Sequence, residues 1–119
     1  MTAARQAVGA YGERCAVRHL IEAGLRVVVR NWRCRHGEID IIAWEGEVLA
    51  FCEVKTRRSG TFGAPADAVE RRKVQRLRRL ALEWLRTSGV HPEQIRFDVI
   101  EVYPARSGPA RIEHLRAAF

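Results

Sequence analysis

Between positions 5 and 23, Val8, Gly12, Cys15, Ala16, Leu20 and Ala23 recur at spacings of three and four, with Arg14 and Arg18 opposite, which predicts an amphipathic helix. Gly9, Glu13, Ala16 and Leu20 form a stripe along the edge of its apolar face, so a carboxylate shares a line with small residues. Each glycine in a helix interior costs about 1 kcal/mol relative to alanine, and close approach of the helix to a sheet would compensate. Gly24 ends the helix. Leu25 to Cys34 is rich in β-branched and aromatic residues and reads as a strand, followed by a turn at Arg35-His36-Gly37 that takes His36 as a loop residue. A second strand, Glu38 to Trp44, alternates Glu38, Asp40, Ile42 and Trp44 with Ile39, Ile41 and Ala43, and its apolar residues on both sides predict a sheet covered on both faces.

After Glu45-Gly46, a third strand sets Leu49, Phe51, Glu53 and Lys55 on one face and Val48, Ala50, Cys52 and Val54 on the other. Pairing Trp44 with either Glu47 or Leu49 brings even positions of strand two opposite odd positions of strand three, so Asp40 is expected to share a face with Glu53 and Lys55. Thr56 to Pro65 is a loop rich in glycine, serine and proline. A long helix over 66–88 follows, with Val69, Val74, Leu77, Leu80, Ala81 and Trp84 as its core stripe and Gly89 as its cap. Glu93 to Tyr103 reads as a fourth strand and Arg111 to Leu115 as a short edge strand. The order α-β-β-β-α-β, with a small β addition, joins an antiparallel meander to a helical crossover, and predicts an α/β fold with a mixed central sheet flanked by helices.

Length and composition, 119 residues with 47% hydrophobic and 29% charged, fit a single domain over 1–119. No apolar run approaches the ~20 residues of a membrane span and no leader-like apolar stretch opens the chain, so a cytoplasmic protein without a membrane partner is expected. Cys15, Cys34 and Cys52 are odd in number and scattered, which argues against a disulfide framework or a zinc site. A net charge of +7 favours a polyanionic partner, although genomic base composition accounts equally well for the arginine excess. Of the 21 basic residues only Lys55 and Lys73 are lysines.

Charges placed within a sheet covered on both faces cost several kcal/mol unless paired, hydrogen-bonded or ligated. Asp40 beside Glu53 would bring like charges together, and Mg²⁺ or Mn²⁺ between them would suit two carboxylates and a substrate phosphate. With such an ion, Lys55 would orient the attacking water or stabilise charge on the phosphorane-like transition state, and Glu13 would add a carboxylate if its helix packs over the site. The competing reading is a buried Asp-Lys or Glu-Lys ion pair without chemistry.

The order of Glu13 in an N-terminal helix, Asp40, then Glu53-Val54-Lys55 resembles the PD-(D/E)-x-K motif of the restriction-endonuclease-like superfamily, which includes archaeal Holliday-junction resolvases. More closely, RNWRCRHGEIDIIA, FCEVKTR, RRKVQRL and RFDV resemble the YraN-like family of predicted bacterial endonucleases over nearly the whole chain. The superfamily's proline is absent, because Ile39 precedes Asp40. The resemblance implies the restriction-endonuclease-like α-β-β-β-α-β core and a Mg²⁺- or Mn²⁺-dependent endonuclease acting on DNA, including branched or structured DNA. It implies catalytic roles for Glu13, Asp40, Glu53 and Lys55, with Asp40, Glu53 and Glu13 as metal ligands. It also implies phosphate contacts from Arg57, Arg58, Arg72, Lys73 and Arg76. Asp98 falls in a matching motif but has an ordinary structural role open to it on its strand. The resolvase likeness raises a homodimer, though no stripe marks an interface. Two other classes stay open: a non-catalytic nucleic-acid-binding or assembly module on a nuclease fold, and a basic protein-interaction domain.

Overall fold

The computed structural model describes residues 3–57 and 71–119. Helix α1 (Ala3–Glu22) leads into strands β1 (Arg26–Cys34), β2 (Gly37–Glu45) and β3 (Val48–Thr56); helix α2 (Arg71–Ser88) then precedes β4 (Gln94–Tyr103) and β5 (Arg111–Leu115). The five strands form one mixed sheet in the order β1-β2-β3-β4-β5, as the meander and crossover predict, and β5 is an edge. Antiparallel pairing joins β1 to β2, β2 to β3 and β4 to β5, whereas β3 and β4 run parallel. A two-residue turn, Gly46-Glu47, closes the β2–β3 hairpin with Trp44 opposite Leu49. Among the described residues, no helix is long and apolar enough to cross a membrane.

Each sheet face carries its own core. On one side Ala16 and Leu20 of α1 meet Ile41, Ala43, Ala50, Cys52, Ile100 and Val102. On the other, Leu77, Leu80, Ala81 and Trp84 of α2 meet Ile39, Ile42, Leu49, Phe51 and Phe97. The predicted α2 stripe is therefore buried from Leu77 to Trp84, while Val69 lies outside the described residues. Helix α1 buries a narrower stripe than its periodicity predicts, because Val8 and Ala23 are exposed. Phe51 packs edge-on to Trp84 and stacks on Phe97, which stacks in turn on Phe119.

The predicted alternation along β2 fails at one place. Ile41 and Ala43 face α1, but Ile39 joins Ile42 and Trp44 on the α2 side, so the period of two breaks around Asp40. Across the ladder, Asn31 adopts φ 53° between the pairs Arg30↔Ile41 and Trp32↔Ile39. Asparagine tolerates this left-handed conformation, and an extended period cannot persist through it. Both strands change step at Asn31 and Asp40, and this sets up the site.

Glycine reads differently at the two positions in α1. A Cβ on Gly12 would lie 1.8 Å from Thr56 Oγ1, so its absence lets α1 rest directly on β3, whereas a Cβ on Gly9 would meet nothing within 4 Å. The expected close approach holds for Gly12 and not for Gly9.

Beyond the site, Asp98 is fully buried and accepts hydrogen bonds from Arg96 Nε (2.8 Å), Arg96 Nη2 (3.0 Å) and the Ala117 amide (3.0 Å), with His114 Nε2 at 2.7 Å. Burial raises its pKa, but the His114, Arg96 and Ala117 contacts outweigh burial and hold the carboxyl below its ordinary range. Glu45, gripped by Arg116 and Arg96, extends this network to the hairpin end. Asp98 thus has the structural role that its strand position offers.

Candidate active site

The β2–β3 ladder ends at Ile41↔Cys52, one step before Asp40 and Glu53, while β3 stays paired to β4 as far as Thr56↔Val102. The sheet forks here. In place of a ladder carbonyl, Asp40 Oδ2 accepts the Val54 amide at 2.8 Å, so the Asp40 carboxylate bridges the fork. Two clefts open around it and share Glu38, Asp40 and Glu53. The larger, about 1070 Å³, runs under α1 and is also lined by Gly9, Glu13, Asn31, Arg33 and Thr56. The smaller, about 300 Å³, lies against α2 and is lined by Lys73, Arg76, Leu77 and Leu80.

Asp40 has its pKa pushed up to about 7; burial is the main cause, and the charges of Glu13, Glu38 and Glu53 add to it against the stabilising Val54 hydrogen bond. Glu38 itself is exposed and carries Arg33 at 2.8 Å. Glu53 Oε1 is ion-paired to Lys73 Nζ, and Glu53 Oε2 is buried with no hydrogen-bond partner among the described residues. Burial lowers the Lys55 pKa, and the neighbouring Lys73 lowers it further, with Glu53 opposing. Lys55 lines neither cleft; it pairs in register with buried Glu101, which takes Arg57 Nε at 2.9 Å.

The fork therefore brings together Glu13, Asp40 and Glu53, and sets Lys55 beside Glu53 by electrostatic contact. Hairpin parity alone does not account for this, because Asp40 sits where the alternation breaks. Arg76 lines the smaller cleft, Arg72 is exposed, and Arg58 lies outside the described residues. Lys73, expected on phosphate, is ion-paired to Glu53. Glu38 also neighbours Asp40, and its place on the predicted Asp40 face is the signal for it in the sequence. The signal for Lys73 was the scarcity of lysine in an arginine-rich chain.

Among the described residues no three His, Cys, Asp or Glu side chains form a ready-made metal cluster. The donor set nevertheless suits a hard divalent cation that completes its shell with water or phosphate oxygens. A buried Glu53 oxygen without a partner among the described residues and an Asp40 carboxyl pushed toward neutrality are both features that such a cation would relieve.

Comparison with known proteins matches residues 12–102 to the model of "Uncharacterised protein family UPF0102", a span that holds all the carboxylates of the fork, Lys55 and Lys73. The chain is 63% identical to a UPF0102 protein of Salinispora arenicola over 119 residues, covering 100% of both chains. It is 60% identical to one of Salinispora tropica, covering 100% of this chain and 98% of the relative. With one of Beutenbergia cavernae it shares 55% identity over 95% of this chain and 96% of the relative.

Proposed function

The chain belongs to the uncharacterised protein family UPF0102, and from the forked sheet we propose that it is a divalent-metal-dependent phosphodiesterase, an endonuclease acting on DNA. One observation carries the reading: Asp40 and Glu53 share the walls of two clefts, with Glu53 Oε2 unpartnered among the described residues and Asp40 burdened by three neighbouring carboxylates. Such an arrangement is costly for a fold to maintain without a cation.

Asp40 and Glu53 would hold Mg²⁺ or Mn²⁺, with Glu13 reaching it directly or through water. When bound, the ion supplies Lewis-acid polarisation of the scissile phosphodiester and acidifies the attacking water. The Val54 amide fixes one Asp40 oxygen, so the carboxylate is oriented before any ligand arrives. Lys55, two residues along β3 from Glu53 and with its pKa lowered by burial, would orient the water or neutralise charge building on the phosphate. Arg33 in the larger cleft and Arg76 in the smaller offer cations for the flanking phosphates, and Arg72 is exposed on the same helix as Arg76.

The test is cleavage of a panel of linear and branched DNAs with Mg²⁺ or Mn²⁺. Asp40→Ala and Lys55→Ala should each abolish cutting, and activity surviving both changes would sink the assignment. A second reading, a nucleic-acid-binding module on the same fold, draws support from Lys73, which already neutralises part of Glu53. Salt-dependent DNA binding without metal-dependent cutting would favour it.

A further inference from the structure

Glu53 is shared unequally: Oε1 is taken by Lys73 and Oε2 has no partner among the described residues. Lys73 reaches it from the first turn of α2, across the smaller cleft, on a side chain 36% exposed against 16% for Glu53. An ammonium on four methylenes can leave such a position for solvent at little cost. An arginine there would present a planar fork able to hold both oxygens of a carboxylate. Nineteen of the 21 basic residues are arginine, yet both lysines, Lys55 and Lys73, stand near Glu53.

Resting on the metal-site reading, we propose that Lys73 is a displaceable counter-cation of Glu53 that competes with the divalent ion for this carboxylate and so sets the metal affinity of the site. In the metal-free protein Lys73 holds Glu53 in place beside Asp40 and limits repulsion between the two. When a divalent ion takes Glu53, the Lys73 ammonium moves away from it and from Lys55, whose like charge it now faces, into the smaller cleft beside Arg76. There it meets the phosphate of a substrate. Lys73 is a positioning residue for Glu53 before metal arrives and a phosphate contact afterwards. The contact on phosphate expected from the sequence thus belongs to a second state of the same side chain.

Mn²⁺ binding to the full chain without DNA, followed by calorimetry and by the electron paramagnetic resonance of the free ion at up to millimolar concentrations, tests this. Removing this partly exposed competing ion pair by Lys73→Met should tighten Mn²⁺ binding roughly two- to fivefold. Lys73→Arg should weaken it by a similar factor, and Lys73→Gln should fall between Lys73→Met and wild type. Lys73→Met should also melt below wild type in EDTA and gain more than wild type from Mn²⁺. Should one variant fail to fold, the others still order the affinities. Equal Mn²⁺ affinity in wild type, Lys73→Met and Lys73→Arg would overturn the competition while leaving the metal-site reading in place. No Mn²⁺ binding by any of the four proteins would overturn both.

Discussion

Asp40→Asn should make the metal-free protein more stable at pH 8 while abolishing cleavage. In the folded chain the Asp40 carboxyl is pushed up to about 7 from 3.8, so between these values the folded state holds a proton that the unfolded state has released. Stability therefore falls as pH rises from about 4 to about 7, and the full cost is present above that. About three pKa units at 1.36 kcal/mol each give about 4 kcal/mol. Solvent reaches this half-buried group, so roughly 2 kcal/mol or more should be measurable, on the order of 10 °C in Tm for a chain of this size. Asparagine keeps an oxygen for the Val54 amide and sheds the charge. Urea unfolding of both proteins in EDTA at pH 4, 6 and 8 checks the reasoning. The difference should be near zero at pH 4 and largest at pH 8, and saturating Mn²⁺ should stabilise wild type but not Asp40→Asn. Equal stability at pH 8, or an offset that does not vary with pH, would refute it.

In α1, Gly9→Ala should stabilise by about 0.5–1 kcal/mol, because its Cβ enters open space, whereas Gly12→Ala should cost about 1–3 kcal/mol through its clash with Thr56, in part recovered by adding Thr56→Ala; thermal melts distinguish them. Asp98→Ala, which strands His114 and leaves Arg96 only its Glu45 contact, should cost about 3–5 kcal/mol in chemical denaturation without removing any group at the fork. Arg116 and then Arg96 lower the Glu45 pKa to about 2 from 4.5, so its contribution is full above 4.5 and lost as pH falls through about 2; Glu45→Gln should lie below wild type in Tm at pH 7 and converge with it in acid. Arg72→Ala and Arg76→Ala should weaken DNA binding across all sequences and lower the salt slope by about one each, read from fluorescence anisotropy over a salt series.

Positions were legible where the signal is strong: Leu77, Leu80, Ala81 and Trp84 fall where a 3.6 repeat puts them, and β5 spans Arg111–Leu115 as its composition predicts. The two clusters, one per face, likewise follow from apolar residues on both sides of β2. What escaped the sequence was the break in β2. A period of two carries no information about a left-handed residue on the neighbouring strand, so Asn31 and its effect on Ile39 were invisible. Parity holds along the ladder, with Ile42 opposite Phe51 and Trp44 opposite Leu49, but the ladder stops at Ile41↔Cys52, so the Val54 hydrogen bond to Asp40 was not legible from it. Glu13 needed α1 to dock, which Gly12 hinted at. Lys73 and Glu53 stand far apart in the chain and on different elements, and no local pattern encodes such a pairing.

The contact of Gly12 with Thr56 joins two residues that are each next in the chain to a site residue, Glu13 on the helix and Lys55 on the strand. It works as a datum in the machinist's sense, a bare surface from which two positions are gauged. Gly12 contributes no rotamer to that surface, so the separation of the two backbones inherits no side-chain play from the helix. Active-site tolerances are about 0.5 Å, less than the thickness of a methyl group. The spacing between the backbones that carry Glu13 and Lys55 is thus gauged at a point where helix and strand touch without an intervening helix side chain.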